Sequence, residues 1–252
     1  MGKMLNQQRR GKGSPAFSAP SHLYVADVMF RSYDDREKNG VVNGVVMGLL
    51  DDPARGALLM IVKTDDAKKH VLIAPEGIFV GDNVQFGAKA AVGIGNVLPL
   101  SSVPDGTPVY NVEFVPGDGG RCVRAPGGVA YVVSHSGGKT WLSLPSKAVK
   151  ILDSACRAAV GVVSCGGQHE KPIFTAGKAS HMYSSKAYYW PKVRGVAMSA
   201  YDHPFGGKEH HPGRSTISSR HAPPGRKVGL IAARQVGRHK GKKRVSPNEQ
   251  TQ

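Results

Sequence analysis

The chain has 252 residues, enough for one large domain or two small ones, and carries 34 Lys and Arg against 18 Asp and Glu, a formal net charge of +16. An excess of that size points to a polyanionic partner, nucleic acid foremost. No stretch approaches the roughly 20 apolar residues of a bilayer span, and the opening MGKMLNQQRRGKGSP lacks the apolar core of a secretory signal, so a soluble intracellular protein is expected, with no membrane partner.

In chain order, residues 1–33 are expected to form a basic N-terminal extension, Gly-rich around QRRGKG at 8–13. From Val41 short runs of Val, Ile and Leu alternate with Gly, Pro, Asp and Asn, the pattern of strands and tight turns. Strands are predicted over 41–50, 57–64, 70–74, 83–86, 108–114, 129–135, 139–144, 148–152 and 158–164. Turns fall at DDPARG (51–56), PDG (104–106), PGDGG (116–120) and SGG (136–138), where Gly, Pro and Asp favour reversal. The Pro-bearing stretch 96–104 lies between two strand clusters of similar size, which places a boundary near residue 100 and predicts two small barrels, 34–100 and 101–170. Residues 171–252 lose the periodicity and accumulate Gly, Pro, His, Lys, Arg and Ser with isolated aromatics; this tail has little core of its own.

The charge is unevenly placed. Residues 41–170 hold 11 basic and 11 acidic side chains, whereas residues 171–252 hold 16 basic and 3 acidic ones, and residues 1–40 hold 7 and 4. A neutral all-β body with basic extensions fits a protein that gains free energy by displacing counterions from phosphates. Interleaved aromatic and guanidinium groups add stacking on unpaired bases, with Trp190 and Arg194 as candidates.

Other chemistries are weaker. Cys122, Cys156 and Cys165 are odd in number and form no C-x-x-C pair, which argues against a disulfide framework or a zinc site and fits a reducing compartment. His203, His210, His211 and His221 suggest a metal-dependent hydrolase using Asp202, but their spacing matches no helical H-x-x-x-H arrangement. The segment VGIGNV at 92–97 lacks the third Gly and the following helix of a dinucleotide loop. A general nucleic-acid-compacting protein is a third reading, distinguished by equal binding of DNA and RNA.

The strings WPKVRGVAM (190–198), DHPFGG (202–207) and GRKVGLIAARQVGR (225–238), with DDPARGA (51–57), APEGI (74–78), IGNVLPL (94–100), RAAVGVV (157–163) and AGKA (176–179), closely resemble the universal family of large-subunit ribosomal protein two. The resemblance covers roughly residues 34–240, and Phe205 with the GRKVGLIAAR ending is similar to the eukaryotic and archaeal branch. KEHHPGR, before Ser215, looks shorter than in eukaryotic relatives, and Tyr201 is unusual.

The resemblance implies an oligonucleotide-binding-type barrel followed by an SH3-like barrel, with extended basic N- and C-terminal arms. It implies a structural constituent of the large ribosomal subunit in the cytoplasm, set near the peptidyl transferase centre, where it supports subunit association, tRNA positioning and peptide-bond formation by the rRNA. Its partners would be large-subunit rRNA, neighbouring ribosomal proteins and, through an inter-subunit bridge, the small subunit. No cofactor of its own is expected, Mg²⁺ entering through the rRNA, and neither a catalytic residue nor a metal ligand. The expected RNA contacts are Arg55 and Arg124 in exposed turns, where Gly56 and Gly127 would admit the RNA backbone, and Trp190, Lys192, Arg194, His203, Arg214, Arg226, Lys227, Arg234 and Arg238. Asp202 would orient His203 or set its charge.

Overall fold

A computed structural model describes residues 2–53, 55–186, 188–207 and 217–233. The chain divides into two compact units, one of residues 19–186 and one combining residues 1–18 with 187–252.

The larger unit is all-β. A short helix, α1 (Asn6–Gly11), belongs to the other unit; here the chain enters through α2 (Asp35–Asn39), whose N-cap Asp34 accepts a hydrogen bond from the Glu37 N–H. Ten strands follow: β1 (Val42–Leu50), β2 (Leu59–Thr64), β3 (Lys69–Ile73), β4 (Asn83–Phe86), β5 (Val97–Pro99), β6 (Pro108–Tyr110), β7 (Ala130–Ser136), β8 (Lys139–Ser143), β9 (Val149–Asp153) and β10 (Arg157–Val160). They pair in the order β3-β2-β1-β4-β5-β10-β6-β7-β8-β9, all antiparallel except β4 with β5. The unit closes with α3 (Ala176–Ser184), capped by Thr175.

Two hydrophobic cores lie within this continuous sheet. The first gathers Val42, Val46, Leu59, Val62, Leu72, Val84 and Phe86; the second gathers Leu100, Val109, Val132, Leu142 and Leu152. Strands β5 and β10 serve both. Because successive strand residues face opposite sides, Val97 and Ala159 enter the first core while Leu98, Ala158 and Val160 enter the second, so these two strands are buried along their whole length. The handover between cores therefore falls at Val97 and Leu98, inside the segment expected as a linker. Strand β5 escaped the sequence reading because Asn96, Pro99 and Pro104 look like punctuation.

The expected boundaries at residues 33 and 171 are redrawn. Val28 and Phe30 are buried in the first core, so residues 19–33 belong to the body, as do residues 171–186 with α3. Residues 2–18 come together with 188–207 and 217–233. There Leu5, Phe205 and Val228 form a small core with Val196, and β11 (Ile217–Ser218) pairs in parallel with β12 (Leu230–Ile231).

Candidate nucleic-acid interface

The segment leading into α2 is fastened to the body by a buried charge network. Arg157 on β10 donates from Nε and Nη2 to Glu113 Oε1 at 3.1 and 2.7 Å, and from Nη1 to Glu37 Oε1 and the Arg31 carbonyl, both at 2.9 Å. Arg31 in turn reaches Glu37, Asp34 and Asp66 at 3.1, 2.6 and 3.2 Å. The second Glu113 oxygen accepts the backbone N–H groups of Arg157 and Gly117, and Oε1 also accepts that of Gly119. Arg157, Glu37 and Glu113 are shut off from solvent, and such charges are tolerated inside a protein only when paired and hydrogen-bonded. Burial pushes the Glu37 carboxyl up from its ordinary value, against the pull of Arg157 and Arg31.

Beside this segment stand three guanidinium groups, those of Arg55, Arg121 and Arg124. Arg55 contacts the Asp52 carboxylate, donates to the Ala26 carbonyl at 3.2 Å and lies 5.9 Å from the Tyr24 ring. Arg124 donates from Nη1 to the Gly120 carbonyl at 3.1 Å and from Nη2 to the Val28 carbonyl at 2.9 Å. Burial, then the charges of Arg55 and Arg121, push the Arg124 guanidinium below its ordinary value. Among the described residues no carboxylate stands within ion-pairing distance of Arg121 or Arg124. The turns expected to be exposed are in part covered: Arg55 and Arg124 are half-buried and hold residues 24–28 in place, and together with Arg121 they leave a net cationic patch suited to phosphate.

The two glycines expected to admit RNA make room for protein. A side chain on Gly127, which has a φ of +65°, would stand 2.6 Å from the Gly166 backbone, and one on Gly56 would overlap Pro126 and Gln168. The turns carrying Arg55 and Arg124 are therefore locked against each other and against the end of the body.

In the smaller unit the structure places Trp190, Lys192, Arg194, His203, Arg226 and Lys227. Lys192, Arg194 and Arg226 are exposed, Trp190, His203 and Lys227 half-buried. Lys192 Nζ sits 4.3 Å from the Tyr188 ring. Arg214, Arg234 and Arg238, with His210 and His211, lie outside the described residues. His203 accepts the Phe205 N–H at Nδ1 (3.1 Å), lies tilted at 58° with its centroid 5.0 Å from that of the Phe205 ring and fills the space left by Gly195. Burial pushes its imidazole below the ordinary value. Accepting at Nδ1, the neutral ring carries its proton on Nε2. Asp202 does not orient it: that carboxylate accepts the Ser199 hydroxyl at 2.9 Å and pairs with Lys3 at 3.2 Å, which corrects the expected Asp202–His203 relationship. Among the described residues no three His, Cys, Asp or Glu side chains converge as a metal site.

Residues 3–17 were expected as part of a basic extension, with no contact residue named among them. They lie with Tyr189 and Lys192, the Phe17 and Tyr189 ring centroids 5.5 Å apart. Their own signal was the QRRGKG run, but nothing local says which distant segment it joins.

An all-β body with a cationic, arginine-built turn face and a second, basic unit is the arrangement of a nucleic-acid-binding protein. Residues 1–86 match the family described as Ribosomal Proteins L2, RNA binding N-terminal domain, and residues 93–227 match its C-terminal domain. The chain is 51% identical over 239 residues to the large ribosomal subunit protein uL2 of Methanococcus maripaludis, covering 94% of this chain and 100% of that protein. The uL2 proteins of Methanopyrus kandleri and Methanocaldococcus jannaschii are 49% and 48% identical, again over 94% of this chain and 98% and 99% of theirs. The chain belongs to the ribosomal protein L2 family. It is a structural constituent of the large ribosomal subunit, a particle of the cytoplasm, and not an enzyme in itself.

Proposed function

We propose that this protein braces large-subunit rRNA next to the peptidyl transferase centre and, from there, supports subunit association and the positioning of tRNA, peptide-bond formation itself belonging to the RNA. The observation that carries the reading is the Arg55–Arg121–Arg124 face: three guanidiniums with one carboxylate, those of Arg55 and Arg124 held in place by backbone carbonyls and that of Arg121 exposed beside them. Groups already immobilised lose little conformational freedom when they grip a phosphate, which favours a rigid RNA contact over a loose electrostatic one. The smaller unit binds RNA with basic side chains of its own, Lys192, Arg194, Arg226 and Lys227, and with Trp190 as a stacking surface; Arg214, Arg234 and Arg238 add further cations along the sequence. His203, neutral and oriented by the Phe205 backbone, offers an Nε2 donor to RNA. Neighbouring ribosomal proteins and the small subunit, through an inter-subunit bridge, complete the partners. The protein needs no cofactor of its own; Mg²⁺ reaches the interface with the rRNA it neutralises.

The test is directed cleavage from Cys165, which is exposed and lies next to the Gly127–Gly166 contact behind the arginine face. An iron chelate attached there in assembled large subunits is expected to cut the rRNA strands of the peptidyl transferase region. Cuts confined to RNA remote from that centre would overturn the placement.

A further inference from the structure

In the smaller unit residues 3–17 and 189–203 line an open cavity of about 530 Å³. That lies within the range of about 300–1,000 Å³ typical of small-ligand sites. Its walls combine the two features that single-stranded nucleic acid asks for. Phe17 and Tyr189 present rings inclined at 41° with centroids 5.5 Å apart, and 38% of Tyr189 remains accessible. Arg9, Arg10 and Lys192 surround them, with the Arg10 guanidinium 5.8 Å from the Phe17 ring. Lys3 and Asp202 also line the cavity as an ion pair; the Asp202 carboxylate accepts the Ser199 hydroxyl and feels the charge of Arg9 as well, so one carboxylate faces the four cations Lys3, Arg9, Arg10 and Lys192. Among the described residues Arg9, Arg10 and Lys192 have no carboxylate at ion-pairing distance, so the cavity is left with uncompensated positive charge beside an accessible aromatic face.

From this arrangement we propose that the cavity receives one unstacked nucleotide of the rRNA, its base against Tyr189 and Phe17 and its flanking phosphates against Arg9, Arg10 and Lys192. The inference rests on the rRNA-binding reading above and adds to it a particular site and a particular form of RNA. A base inside a duplex is already stacked on both faces and its edge is paired, so it presents no free π-face to Tyr189; a splayed-out base in a loop or bulge does. An acidic peptide would satisfy the three cations but would leave the aromatic pair without a planar partner. The site also explains why residues 3–17 fold with the C-terminal segment: cations from one end of the chain and the principal ring from the other are both needed to complete it.

The experiment irradiates the full chain bound to a large-subunit rRNA transcript with ultraviolet light, digests both and maps nucleotide adducts by mass spectrometry. Adducts are expected on the peptides carrying Tyr189 or Phe17. In parallel, Tyr189→Ala and Arg10→Ala are each expected to weaken binding of a short oligouridylate roughly tenfold, while Tyr189→Phe, which keeps the ring, retains wild-type affinity. If the wild-type chain binds the transcript but the adducts fall elsewhere and both alanine variants bind oligouridylate like wild type, the nucleotide site is refuted and the rRNA-binding reading survives. If the wild-type chain binds neither RNA, both fall together. Loss of binding in Tyr189→Phe as well as Tyr189→Ala, without adducts at residue 189, would assign the tyrosine to packing and also refute the site.

Discussion

Arg157 and Glu113 meet at the centre of the body with Nη2 2.7 Å from Oε1, both hidden from solvent, and the same guanidinium reaches across to Glu37 and to the carbonyl of Arg31. A strand of the second core thereby holds the segment that precedes β1, and the aromatic rings of Phe30 and Tyr33 lie 5.3 and 4.8 Å from the guanidinium.

Glu113→Gln leaves the buried Arg157 with only the Glu37 carboxylate, which it shares with Arg31. Removing one partner of a buried ion pair costs on the order of 3–5 kcal/mol. Urea unfolding of the variant is expected to shift to markedly lower denaturant. A midpoint equal to wild type would mean that the pair does not hold the body together.

The Gly127→Ala variant meets two obstacles, a left-handed backbone conformation and the Gly166 backbone 2.6 Å from the added carbon. A loss of about 1–3 kcal/mol is expected. Gly167→Ala, where nothing stands within 4 Å of the new methyl and φ is ordinary, serves as the control and is expected to leave the unfolding midpoint nearly unchanged.

Acid sensitivity follows from His203 and His70. Burial depresses both imidazoles, with Arg31 and Lys68 adding to the effect at His70. A base whose folded pKa lies below its unfolded value of about 6.5 contributes stability that is complete above that value and is lost as pH falls toward the folded one, because the unfolded chain takes up the proton first. Thermal unfolding is therefore expected to shift downward as pH is lowered from 7.5 toward about 5, less so in His203→Gln. NMR titration that finds the His203 ring protonating above the free imidazole value would contradict the burial argument.

Arg124→Ala removes one cation from the patch and two hydrogen bonds to the Gly120 and Val28 carbonyls. Binding to large-subunit rRNA is expected to weaken and the salt dependence to lose roughly the slope of one phosphate contact. Because the Val28 segment also loses its anchor, stability is expected to fall by about 1–3 kcal/mol, unlike that of an ordinary solvated arginine. Arg124→Lys separates the two effects, since it keeps the charge and loses the fork. Affinity restored in the lysine variant would assign the contact to charge alone.

Much of the body is written locally in the sequence. Alternation in 42–50 and 130–136 marks strands because each has one wet and one dry face, and DDPARG and SGG mark their turns. β5 was hidden because both its faces are dry and it ends in Pro99. The charge network was hidden for another reason: Arg157 stands 44 residues from Glu113 and 120 from Glu37, and nothing near any of them names its partner. The smaller core was equally silent, since Leu5, Phe205 and Val228 are single apolar residues in polar surroundings. Motif resemblance supplied the family and the RNA partner, whereas the roles of Arg55, Arg124, Gly56, Gly127 and Asp202 needed the packing to be seen.

If this chain grips folded rRNA through cations such as Arg55 and Arg124, held in place by backbone carbonyls, its affinity must be salt-dependent and selective for folded RNA. The most direct test is the affinity of the full chain for a large-subunit rRNA transcript between about 50 and 200 mM salt, with duplex DNA as competitor. Log affinity is expected to fall linearly with log salt, by roughly a thousandfold if six or so phosphates are contacted, and duplex DNA is expected to compete poorly. Equal competition by duplex DNA, or an affinity indifferent to salt, would contradict such a grip.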